Sequence, residues 1–158
     1  MSQSGQQLPY GPNPSISGAG IGFIAQHEGF RPTVYNDPAG NPTIGFGHLI
    51  TPGEGFADPI TREQGFDLLR SDIRTRVDPF IQRRVGIALS QNQVDALGSF
   101  IYNVGGGAFS RSTLLRHVNA GQFEAAAGQF GRWVYAGGQV QPGLVTRRAA
   151  EAAMFLGR

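Results

Sequence analysis

Glu28, Asp37 and Thr43 stand within sixteen positions of one another, and their types differ in a way that suits one reaction. A carboxyl able to give a proton, with a second carboxylate and a hydroxyl close by in the chain, points to hydrolysis of a glycosidic C–O bond. The intervals, nine positions from Glu28 to Asp37 and six from Asp37 to Thr43, put the three groups on three different local elements.

Glu28 belongs to a helix. Ile21, Ile24 and Glu28 fall at i, i+3 and i+7, so one apolar face carries the carboxyl. Gly29 reads as the left-handed residue that ends this helix, leaving Glu28 in the last turn among unpaired carbonyls. Partial burial and the negative helix end both favour a neutral acid. An ordinary surface glutamate is the competing reading. Asp37-Pro38-Ala39-Gly40 has the residue preferences of a type I turn, and turn chemistry alone accounts for an Asp there. Beyond it, Thr43-Ile44-Gly45-Phe46-Gly47-His48 alternates, with Thr43, Gly45 and Gly47 on one face and Ile44, Phe46 and His48 on the other. Two glycines in a strand suggest a flat ligand close to the backbone, or else a bulge or tight bend.

Together these residues resemble the phage-type lysozymes, the muramidase family of T4 and P22 endolysins. That family's signature is a Glu, an Asp and a Thr at these intervals, the Thr opening a Thr-x-Gly-x-Gly-His hairpin. Similarity continues through Phe100-Ile101-Tyr102-Asn103-Val104-Gly105-Gly106-Gly107-Ala108-Phe109, Ser112-Thr113-Leu114-Leu115, Arg132-Trp133 and Pro142-Gly143-Leu144-Val145 with Arg147 and Arg148, covering roughly residues 17 to 157. The resemblance implies an α+β, lysozyme-like fold: a mostly helical lobe, a small antiparallel β-hairpin lobe over about residues 30 to 60, and a cleft between them. It implies hydrolysis of the β-1,4 bond between N-acetylmuramic acid and N-acetylglucosamine in peptidoglycan. Glu28 would be the general acid, with Asp37 and Thr43 holding a water on the opposite ring face. This inverting arrangement needs carboxyls about 6.5–9.5 Å apart, against the ~5 Å of a covalent route. Leu49, Tyr102 and Ser112 occupy family sugar-contact positions, and Gly45, Gly47 and His48 complete the hairpin. An Arg from the C-terminal lobe stands beside the acid in this family; the sequence does not choose between Arg147 and Arg148. No cofactor is implied. A family member without its own export signal would wait in the host cytoplasm until a holin opens the route to the periplasm and wall, with delivery in a phage particle as the alternative.

Composition agrees with one domain. At 158 residues the chain buries a sufficient core without metal or disulfide, and it contains no Cys. His27, His48 and His117 are too dispersed to suggest metal ligation. All thirteen basic residues are Arg, for a net charge of only +2. Arg62, Arg70, Arg74, Arg76, Arg83 and Arg84, interleaved with Glu63, Asp67, Asp72 and Asp78, read as a solvated helix face, with loose attraction to anionic wall polymers as the minor use. No basic stripe carries the aromatics that nucleic acid binding wants. Residues 1–15 lack a charged start and an apolar core, reading as a flexible leader or linker before a catalytic domain at 16–158. No run reaches membrane-spanning length, and a monomer is expected.

Capping boxes at Thr61/Gln64 and Ser90/Gln93 predict two helices, the first striped by Phe66, Leu69, Ile73, Val77 and Phe80 towards Pro79, the second by Val94, Leu97, Ile101 and Val104 up to Gly105. Shorter helices follow around 114–118 and 123–133, and a last one from about Leu144. Gly45-x-Gly47 lacks the rest of a dinucleotide fingerprint, and no Gly-x-Ser-x-Gly elbow or phosphate loop is present. Three competitors remain: a lytic transglycosylase, needing one acid and no positioned water, a non-catalytic peptidoglycan-binding module, and membrane disruption by the Arg-bearing C-terminal helix.

Overall fold

These periods resolve into eight α-helices and five short strands in a computed structural model that describes residues 14–158. Most of the predicted leader, residues 1–13, lies outside the described residues. Pro14 and Ser15 carbonyls accept from Gln82 Nε2 and Gln91 Nε2, both at 3.0 Å, and the Ile16 N–H donates to Asp78 Oδ1 at 3.1 Å, so the described chain is tied to the helical body from its first residue.

Helix α1 (Gly18–Glu28) starts on Ser17, whose hydroxyl accepts the Gly20 N–H, and ends at Glu28. Gly29 has the expected positive φ of 75°, but its ψ of 149° sends the chain straight into a strand in place of a left-handed cap. Strands β1 (Arg31–Asn36), β2 (Pro42–Gly45) and β3 (His48–Leu49) form one antiparallel sheet in that order, with Thr43 opposite Leu49 and Ile44 opposite His48. The expected alternation fails in β2, where Thr43, Ile44 and Gly45 are all buried, and the chain turns at Phe46 and Gly47. A Cβ on Gly45 would meet Gly65 Cα at 3.5 Å and Ile60 at 3.6 Å, so Gly45 lies against the helix that follows and not beneath a ligand.

That helix, α2 (Arg62–Asp72), begins with the predicted reciprocal cap: the Gln64 N–H donates to Thr61 Oγ1 and the Thr61 N–H to Gln64 Oε1. Pro79 does not stop the helical path. A π-helical turn, Ile73–Val77, leads into α3 (Asp78–Arg84), which takes Pro79 in its first turn, where no N–H is missed. The six Arg side chains of this stretch are exposed as expected, but Asp72 and Asp78 are buried and leave the solvated face. Helix α4 (Gln91–Val104) carries the second capping box and is buried without interruption from Gln93 to Ile101, a helix surrounded on all sides. Gly105 ends it, and α5 (Gly106–Ser110), α6 (Thr113–Asn119) and α7 (Phe123–Gln129) follow. Helix α8 (Pro142–Phe155) packs along α4. The core between these helices includes Ile24, Leu69, Ile81, Leu97, Phe100 and Phe130, none more than 2 % exposed. A second hairpin, β4 (Tyr135–Ala136) with β5 (Gln139–Val140), appears where only helix and loop were expected. Gly137-Gly138 between short β-favouring runs is its two-residue turn signal.

Candidate active site

The end of α1, the Asp37 turn, the β2–β3 hairpin and the C-terminal half of α4 meet around a hollow of about 390 Å³ lined by Glu28, Tyr35, Asp37, Thr43, Gly47, Leu49, Tyr102 and Asn103. A second hollow of about 420 Å³ shares Gly47, Leu49, Tyr102 and Asn103 with it and continues past Thr75, Arg76 and Phe80. The two hollows adjoin through these four shared residues.

Glu28 is held from one side. Arg147 Nη1 donates to its Oε1 at 2.7 Å, while Arg148, the other candidate, turns inward to Glu151 and Asn103. The Glu28 side chain is 20 % exposed, Arg147's only 6 %. The second carboxyl oxygen lies against the hairpin: a Cβ on Gly47 would stand 2.9 Å from Glu28 Oε2. Gly47, with a φ of 82°, is thus required both by the turn and by the close approach of the acid itself, a reason the strand pattern did not suggest.

Asp37 builds its own turn and still faces the hollow. The Gly40 N–H donates to Asp37 O at 2.8 Å, and Oδ1 accepts from the Ala39 and Asn41 N–H groups at 2.9 and 2.8 Å. Those bonds, the Asn41 amide foremost, hold the carboxyl below the usual Asp range. Oδ2 takes only the Asn41 side-chain amide at 3.3 Å, leaving lone pairs towards the hollow. Thr43 Oγ1 donates to the Asn41 carbonyl at 2.8 Å, so its own lone pairs are what it can offer a water. Asn41 therefore aligns both residues, a part the sequence reading did not assign to it.

Tyr102 Oη donates to the Phe46 carbonyl at 2.7 Å, and burial pushes this phenol far above its usual range. The ring, not the hydroxyl, is the surface it gives to the cleft. Leu49, 37 % exposed, completes that apolar wall. Tyr35 lines the opposite side with Arg31 stacked over its ring at 4.1 Å. Ser112 is elsewhere: 5 % exposed, it accepts the Leu115 N–H and donates to Phe109 O, capping α6 with no atom on either hollow. His48 sits behind the hairpin, where its ring pairs through Nδ1 with Asp72 Oδ2 at 2.8 Å and through Nε2 with Glu54 at 3.1 Å. The Asp72 bond, foremost, holds this ring above its ordinary value against the effect of burial. It bolts the hairpin to α2. Among the described residues no group of three or more His, Asp and Glu side chains is placed to hold a metal ion.

Residues 25–151 match the phage lysozyme family. The chain is 42% identical over 145 residues to the endolysin of Bacillus phage PZA, covering 89% of this chain and 54% of that protein. It thus spans about half the length of the Bacillus phage endolysins it matches. It is 41% identical over 144 residues to the endolysin of Salmonella phage P22, covering 89% of this chain and 97% of that one. The crystal structure of a P22 lysozyme mutant superposes with a TM-score of 0.80 at 40% identity, over 90% of this chain and 98% of the other.

Proposed function

The chain belongs to the phage lysozyme family, and from that premise we propose that it hydrolyses the β-1,4 bond between N-acetylmuramic acid and N-acetylglucosamine in peptidoglycan, with inversion, for lysis of a bacterial host. The observation that carries the reading is the convergence of Glu28, Asp37 and Thr43 on one hollow between the lobes. Glu28 gives its proton to the leaving sugar oxygen from Oε2, since Arg147 occupies Oε1. Asp37 Oδ2 and Thr43 Oγ1 each accept from a water on the far ring face. A carboxylate held below its usual range is a weak base but keeps its charge, so Asp37 orients this water, stabilises the positive charge that grows on the ring, and takes the water's proton once bonding to the anomeric carbon has made it strongly acidic. Leu49 and the Tyr102 ring take the apolar sugar faces.

Membrane disruption by the last helix loses its basis, because Arg147 and Arg148 are buried in ion pairs and present no cationic face. No helix among the described residues is long and apolar enough to cross a membrane. The protein acts as a monomer, binds no nucleic acid and reaches the wall from the host cytoplasm once a holin has opened the inner membrane. Mass analysis of fragments released from purified peptidoglycan tests the reaction. Reducing muramic acid ends, first formed as the α-anomer by NMR, are expected. Anhydro sugars would move the assignment to a transglycosylase, and a first-formed β-anomer would exclude inversion.

A further inference from the structure

Glu151 is 0 % exposed and lines neither hollow of the cleft, yet two of its bonds lead there. Its Oε2 accepts from Ser99 Oγ at 2.6 Å and pairs with Arg147 Nε at 3.4 Å, and its Oε1 accepts from Arg148 Nη1 at 2.5 Å. Arg147 then reaches Glu28, and Arg148 reaches Asn103 Oδ1 on the cleft rim. We propose that Glu151 is a positioning residue for the reaction, the buried carboxylate through which α8 aims one guanidinium at the catalytic acid and a second at the rim of the cleft. The inference rests on Glu28 being the acid assigned above.

Three features support it. The spacing is i−4 and i−3, so one carboxylate on one helical turn can brace two consecutive arginines whose far ends diverge. Glu151 sits against both guanidinium groups and Arg147 also reaches Glu28, which lets these groups share a site with side chains no more than 20 % exposed. Arg148 holds Glu151 through Nη1 and Asn103 through Nη2, so its fork is set at both ends. The other polar groups facing the cluster are Ser99 and Tyr102 from α4 and His27 from α1, whose ring burial, foremost, and Arg147 hold below its ordinary value.

The test compares Glu151→Gln, which keeps shape and removes charge, with Arg148→Met/Glu151→Gln, which restores the net charge of the cluster but still takes the carboxylate away from Arg147 Nε. Each is followed by turnover on purified peptidoglycan per folded molecule and by carbon-13 NMR titration of the Glu28 carboxyl. For Glu151→Gln the expected result is a roughly ten- to hundredfold loss of kcat with KM within about twofold. The Glu28 titration and the alkaline limb of the rate profile should move together to lower pH, because a nearby negative charge is gone. In the double variant the titration returns towards its natural position while kcat stays low, and this variant carries the test if Glu151→Gln alone fails to fold. Unchanged kcat and an unchanged Glu28 titration in the folded variants would overturn the inference. A shifted titration in a protein whose natural form releases no sugar ends would keep the positioning and remove the hydrolase reading.

Discussion

Replacing Gly47 by Ala separates two demands that meet at one residue. A Cβ there would stand 2.9 Å from Glu28 Oε2, where ordinary contact begins near 3.4 Å, so the carboxyl must retreat by about 0.5 Å, the difference of the two. A misplacement of 1 Å can cost ~100-fold, so about tenfold in kcat is expected. The φ of 82° adds about 1–2 kcal/mol of strain for any residue with a Cβ, or roughly 2–8 °C in Tm for a chain of this length. Gly121→Ala is the control, because its φ of 71° imposes similar strain while no atom lies within 4 Å of its Cβ. Calorimetry should give similar Tm losses for both variants, and release of reducing ends should fall only for Gly47→Ala. A kcat for Gly47→Ala within twofold of the control would refute the contact between Gly47 and a working acid.

Asp37→Asn keeps an oxygen for the Ala39 and Asn41 N–H groups and removes the charge, so kcat should fall about a hundredfold with Tm within about 2 °C; an equal loss of both would mean that Asp37 serves only its turn. Because the Asp37 carboxyl is held low, the acid limb of the natural rate profile should lie below the usual value of 3.8, as activity measured down to pH 3 would reveal. The raised His48 makes the natural fold lose stability with rising pH: its contribution is complete below about 6.5, the unfolded value, and disappears as pH passes the higher folded one. Tm followed from pH 5 to 9 should show that decline, and Asp72→Asn should flatten it; an identical slope in the variant would contradict the pairing. Ser112→Ala should cost about 1 kcal/mol through loss of the α6 cap and leave KM unchanged, whereas a raised KM would return Ser112 to the substrate.

The helical lobe was legible because its signals are local. Ser90 with Gln93 and Thr61 with Gln64 cap as their spacing requires, and the Val94, Leu97 and Ile101 stripe is buried. The π-helical turn before Pro79 was not legible, since the cost of a proline is relieved there by a change of helical winding that no residue pattern announces. In β2 the period of two misled because α2 covers Gly45, a tertiary contact that overrides alternation. Glu28, Asp37 and Thr43 could be picked out from types and intervals, but the partner of Glu28 could not: Arg147 and Arg148 are adjacent in sequence and differ only in which way α8 turns them. Glu151 had a signal, a carboxylate three and four positions after two arginines on a helix otherwise rich in Ala, and it was overlooked because buried charge is rare.

The claim on which the account stands is that Glu28 donates the proton. The most direct measurement is the rate of turbidity loss of outer-membrane-permeabilised Gram-negative cells with the natural protein and with Glu28→Gln, each verified as folded by its melting transition. The account predicts a loss of about 10²–10⁴-fold, the contribution of a positioned general acid. A folded Glu28→Gln protein that lyses cells within tenfold of the natural rate would contradict it.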